Sequence, residues 1–160
     1  MSTNAGVLVV GYGNSLRGDD GLGWHAAALL AADPRLAGAE VLARHQLTPE
    51  LAAEVSQAAL VVLVDARDDG GPPGVVTVRR VVPGSSARPT WSHHLDPATL
   101  VELASALDGS PPPVFLVTAG VASREAGERL SPVMERALPR VVDAVARIVA
   151  ERSPCTRSAR

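Results

Sequence analysis

Short runs rich in Val and Leu recur along this chain: VLVVG at 7–11, EVLAR at 40–44, ALVVLVD at 59–65, VVTVRRVV at 75–82 and VFLVTAG at 114–120. Most are continuously apolar rather than alternating. A strand with that pattern is buried on both faces, which requires helices on each side of a mostly parallel sheet. Helical stretches do separate the runs, and three open with a capping side chain before proline: Thr48-Pro49, Asp96-Pro97 and Ser131-Pro132. A further helix is expected to begin near Asp19 and Asp20, whose carboxylates suit the positive end of a helix, and to stop at Asp33-Pro34. The expected fold is an α/β three-layer sandwich, with a twisted, mostly parallel five-stranded sheet and helices on both faces. The run at 75–82 mixes charges with apolar residues and follows a Gly70 to Gly74 turn, so it reads as the second arm of a hairpin, at a sheet edge and antiparallel.

With 160 residues, 46% of them hydrophobic, one domain with a sizeable core is expected over 1–152. The tail at 153–160, SPCTRSAR, offers little apolar surface to dock and is expected to be mobile. A formal charge of -2 leaves no broad cationic face for nucleic acid. The apolar run at 7–10 is too short for a signal segment, and nothing approaches the roughly 20 apolar residues of a membrane span. Cys155 has no second cysteine to pair with, so a cytoplasmic location is expected. All 15 basic residues are arginine. That removes Schiff-base chemistry, a Walker-type phosphate loop and the lysine that a phosphoacceptor signalling domain needs.

In open α/β sheets ligands bind outside the carboxyl ends of the strands, so the polar residues that follow each strand are the ones to weigh. After the first comes GYGNSLRGDDGLG at 11–23. A dinucleotide loop would need glycine at position 16, where Leu16 stands. What remains is a glycine-permitted turn delivering two adjacent carboxylates, which cannot both point the same way. Asp20 is the candidate, and helix capping by both is the plainer alternative. Asp65 ends its strand facing the crevice, where a bare carboxylate is costly to desolvate; its alternative is the start of a solvated loop. WSHHLDP at 91–97 places imidazoles just before a helix start, and RHQLT at 44–48 reads either as a substrate contact or as an ordinary loop. Three of the four aromatic residues, Tyr12, Trp24 and Trp91, adjoin these segments, as pocket walls or, for Trp24, as core. Two carboxylates and an imidazole would make a divalent-metal site with open positions, suited to nickel, zinc or a similar ion.

GYGNSLRGDDGLG, VVLVDA and SHHL resemble the motifs of hydrogenase maturation endopeptidases, over roughly residues 7–150. The resemblance implies an α/β sandwich and removal of a C-terminal peptide from the large-subunit precursor of a nickel-iron hydrogenase once nickel is in place. It gives Asp20, Asp65 and His94 the metal-contacting places, with the nickel supplied by the precursor. His94 is taken over His93 because the family pattern is serine, one residue, then histidine. Asp20 and Asp65 become the catalytic candidates, while Gly13, Asn14, His45, Gln46 and His93 are expected on the substrate side. The chain departs from the family at His45-Gln46-Leu47-Thr48, where better-known members carry an acidic, glycine-rich turn. That departure motivates an alternative, a non-cleaving metal-centre chaperone for a metalloenzyme precursor. No serine sits in a nucleophile elbow, so a cleaving enzyme would use water.

Overall fold

A computed structural model describes residues 4–84 and 95–154. Trp91, His93, His94 and Cys155 lie outside the described residues. The elements run β1 (Val7–Tyr12), α1 (Leu22–Ala31), β2 (Glu40–Arg44), α2 (Leu51–Gln57), β3 (Leu60–Arg67), β4 (Val76–Val81), α3 (Pro97–Asp108), β5 (Val114–Gly120) and α4 (Pro132–Arg152). The strands form one sheet in the order β2-β1-β3-β5-β4, parallel except for the edge strand β4. The expected α/β fold with a mostly parallel five-stranded sheet is therefore observed.

Alternate residues of each central strand feed two cores. Val9, Val62, Val64 and Val117 pack with α1 and α4, whereas Val10, Val61, Leu63 and Leu116 pack with α2 and α3. Each fully buried Val or Leu contributes about 2 kcal/mol of apolar transfer free energy. This two-sided burial explains why the runs in β1, β3 and β5 are apolar throughout.

Three local expectations change. The segment after Gly74 does not form a hairpin with β3: β5 lies between them, and β4 pairs antiparallel with β5. VFLVTAG is buried along its whole length and needs a central place, while the charged VTVRRV tolerates the edge. Secondly, Thr48 and Pro49 form a turn, and α2 starts only at Leu51. The Asp96 and Ser131 caps do form, accepting from the Thr99 and Met134 N–H groups. Lastly, residues 18–21 make a separate 3₁₀ turn (Gly18–Gly21) before α1. At the far end, Ser153 is buried where the tail was expected to begin.

The β1 and α1 backbones touch where Gly11 crosses Gly23. A Cβ on Gly23 would lie 2.3 Å from the Tyr12 backbone nitrogen, and only glycine permits that approach. Gly23→Ala is expected to destabilise the fold by about 3 kcal/mol, read as a lowered urea midpoint with an unchanged slope.

Candidate functional site

The site is assembled where β1 and β3 end. Gly11 pairs with Val64 across the parallel ladder, so Tyr12 comes to lie beside Asp65. Asp65 is in turn opposite Thr118 of β5, and Thr118 opposite Thr77 of β4. Residues in register share a face, so Tyr12, Asp65, Thr118 and Thr77 form a polar row on the α2/α3 side. The buried Tyr12 hydroxyl donates to the Asp65 carboxylate, and burial together with that negative charge raises its pKa well above the usual phenol value.

Asp65 is pushed up to about 7. Burial is the main cause, and the charge of Asp20 adds to it; the Ala66 N–H, the Tyr12 hydroxyl and Arg124 pull the other way. The charge of Asp20 therefore reaches Asp65. Asp20 is held by its Oδ2, which accepts the Asn14 N–H at 2.9 Å. The turn that permits this depends on Gly13, at φ +138°, where a Cβ would stand 2.2 Å from the Asp20 carbonyl oxygen.

Asp19 is turned the opposite way. It is fully buried and caps neither the 3₁₀ turn nor α1. Its carboxylate accepts the N–H groups of Ala122, Ser123 and Ser131 and the Ser131 hydroxyl, at 2.7–3.0 Å. Burial opposes its ionisation, but these donors hold its pKa below the ordinary carboxylate range. Of the adjacent acids, one is structural and one faces the site.

The remaining expected residues divide. Gly13 donates its N–H to the Arg44 carbonyl, and its own carbonyl accepts the Trp24 indole N–H at 2.8 Å, so both its backbone groups serve the turn. Asn14 uses its side-chain oxygen to accept the Leu16 N–H. His45 is exposed, with its ring 5.1 Å from that of Trp24. Gln46 is exposed beside it, and the buried Leu47 anchors the loop in the α2/α3 core. His93 and His94 lie outside the described residues. Among the described residues no group of three or more His, Cys, Asp and Glu could hold a metal ion. The candidate oxygen donors are the carboxylates of Asp20 and Asp65, hard ligands that suit a divalent cation and need at least one more donor.

Asp65 and Tyr12 open onto a cleft of about 700 Å³, which also carries Arg67, Thr77, Arg79 and Thr118. Sequence reading missed these four. Thr77 and Arg79 lie on one face by strand alternation, but only the pairing of β4 with β5 brings that face beside Asp65.

The same architecture is found in solved structures. A [NiFe] hydrogenase maturation protease HycI from Thermococcus kodakarensis KOD1 superposes with a TM-score of 0.70 at 21% identity, over 89% of this chain and 91% of its own. The hydrogenase maturating endopeptidase HybD from E. coli gives 0.70 at 20% identity, over 91% and 92%. The chain shares the fold of these maturation proteases. A hydrogenase 2 maturation peptidase from Thaumarchaeota archaeon SCGC_AB-539-E09 gives 0.68 at 23% identity, over 90% of this chain and 97% of its own. No protein-family model matches the sequence, and no curated protein matches it either. No helix among the described residues is long and apolar enough to cross a membrane.

Two predictions follow from the paired acids. Asp19→Asn turns an amide N–H₂ toward buried donors and is expected to cost about 3 kcal/mol. Because the native pKa of Asp19 is lowered, its contribution is present above about pH 4 and lost as the pH falls through that lowered pKa. Urea titrations at acid and neutral pH test both statements. Asp65 carries the opposite sign: its raised pKa favours the fold below about pH 4, and that advantage is lost as the pH rises through about 7. Asp65→Asn is therefore expected to raise the melting temperature at pH 8 and to have little effect at pH 4. A destabilised variant at pH 8 would contradict this.

Proposed function

We propose that this protein is an endopeptidase that removes a C-terminal peptide from the large-subunit precursor of a nickel-iron hydrogenase, in a nickel-dependent step in the cytoplasm. The reading is carried by Asp65, which accepts the Tyr12 hydroxyl and feels the charge of Asp20 from the turn after β1. This arrangement occurs on the fold of solved proteins described as hydrogenase maturation proteases.

Nickel is in this reading the substrate's own metal, with zinc or a similar divalent ion able to take its place. Asp20 and Asp65 would offer it oxygen ligands and His94 a nitrogen ligand, so that recognition of the metal places the tail of the precursor over the site. The chain's own residues then handle the protons. In the metal-free protein a carboxylate with a pKa near 7 is ionised in part of the population and can still accept a proton readily. Asp65 takes a proton from the attacking water as its oxygen bonds to the scissile carbonyl carbon. When the C–N bond breaks, Asp65 returns the proton to the leaving amine. Tyr12, donating to Asp65, fixes the carboxyl orientation. The His45 and Trp24 rings stand near the turn that holds Asp20, as a rim for the body of the precursor.

The experiment is mass spectrometry of the candidate large subunit incubated with this protein. Release of a C-terminal peptide is expected, and Asp20→Asn or Asp65→Asn is expected to slow it about 10²-fold or more while the fold persists. Unaltered processing by either variant would remove that residue from the mechanism. Tight binding of nickel-loaded precursor without a mass change would favour the non-cleaving chaperone, the role suggested by the altered turn at 45–48.

A further inference from the structure

The cleft beside Asp65 holds a cation, Arg79, that forms no ion pair among the described residues. Arg67 is braced: its Nη1 donates to Thr77 Oγ1 at 2.8 Å and Thr118 Oγ1 at 3.3 Å, and its Nε donates to Asp69 at 3.2 Å. The two threonine hydroxyls are themselves 2.8 Å apart. Asp68 is paired with Arg124 at 2.7 Å. The acids of the cleft rim thus have their own partners, and neither ion pair includes Arg79.

Arg79 is two residues beyond Thr77 on the same face of β4 and lines the same cleft. It is exposed, and no Asp or Glu among the described residues forms an ion pair with it. Residues 85–94 and 155–160 contain no acidic side chain that could do so. Tyr12 and Asp65 line that cleft as well.

A planar guanidinium beside a hydroxyl-lined wall matches a carboxylate, which it can bind through two parallel N–H donors. We propose that Arg79, with Thr77 beside it, forms a carboxylate-binding subsite on the β4 side of Asp65 that selects peptides carrying an acidic group near the bond to be cut. The inference rests on the peptidase reading to the extent that the ligand is a peptide. The carboxylate could belong to an Asp or Glu side chain or to a free chain terminus.

Three short peptides of otherwise equal sequence separate these sources: one with a central Asp and blocked ends, one with Asn in its place, and the Asn peptide with a free C-terminal carboxylate. Each is titrated into the ¹⁵N-labelled protein while the arginine Nε–H signals and the backbone signals of Thr77 and Thr118 are followed. The Asp peptide, the free-terminus peptide or both are expected to move the Arg79 Nε–H signal and to bind about tenfold more tightly than blocked Asn. Arg79→Gln, with its backbone spectrum otherwise retained, is expected to abolish that preference, and Arg79→Lys to restore part of it. Equal binding of all three peptides, absence of any shift at Arg79, or a preference that survives in Arg79→Gln would overturn the subsite. The peptidase reading is judged separately by release of the precursor's tail from the wild-type protein. Failure there removes the enzyme and leaves the titration to decide the subsite.

Discussion

A carboxylate with no exposure to water has to be fully satisfied or it unfolds the protein around it, and Asp19 meets that condition with four donors from one distant loop. Three are backbone N–H groups that follow β5, and the fourth is the Ser131 hydroxyl, which also caps α4 through the Met134 N–H. The opening turn, the end of β5 and the start of the longest helix are thereby fixed to one another. Gly18 strengthens the joint, donating its N–H to the Gly127 carbonyl, while the Asp19 N–H goes to the Ser123 carbonyl. Asp20 is the next residue along the chain. Its direction is set largely by where Asp19 has been committed.

Against that fixed turn, the sheet register supplies the rest of the site. β3 is two residues longer than β1 and carries Asp65 past the apolar layer. There it meets the Tyr12 hydroxyl from one neighbour and Thr118 from the other. The surroundings are apolar enough to favour the neutral acid, and the charge of Asp20 favours it further. Such a carboxyl is poised between its two protonation states near neutral pH, which suits proton transfer more than a permanent ion pair would. The edge strand then contributes Arg79 to the same cleft, while Arg67 of β3 is paired with Asp69.

Much of this was legible in the sequence because burial on both faces leaves a direct mark on composition. The continuous runs in β1, β3 and β5 and the Asp96-Pro97 and Ser131-Pro132 helix starts all read correctly from local chemistry. Two of the three failures share a cause. Thr48-Pro49 looks like the other starts, yet it forms a turn ahead of α2. Asp19 looks like a cap, yet its partners lie more than a hundred residues away. The segment after Gly74 looks like a hairpin arm, yet it is separated from β3 by a strand that appears later in the chain. The last two turned on a competition between a local partner and a distant one, and local pattern does not report its outcome.

The amino-acid order by itself determined the α/β class, the edge position of β4 and the central strands of the sheet, since each follows from which residues tolerate burial. Tertiary structure decided which of two adjacent aspartates became structural, which strand stands beside Asp65, and therefore that Tyr12, Thr118 and the arginines of β3 and β4 share one cleft. The physical reason is that strand order and the partnering of buried charge depend on the free energy of the whole assembly. Residues far apart in the chain compete for the same donors and the same central place in the sheet.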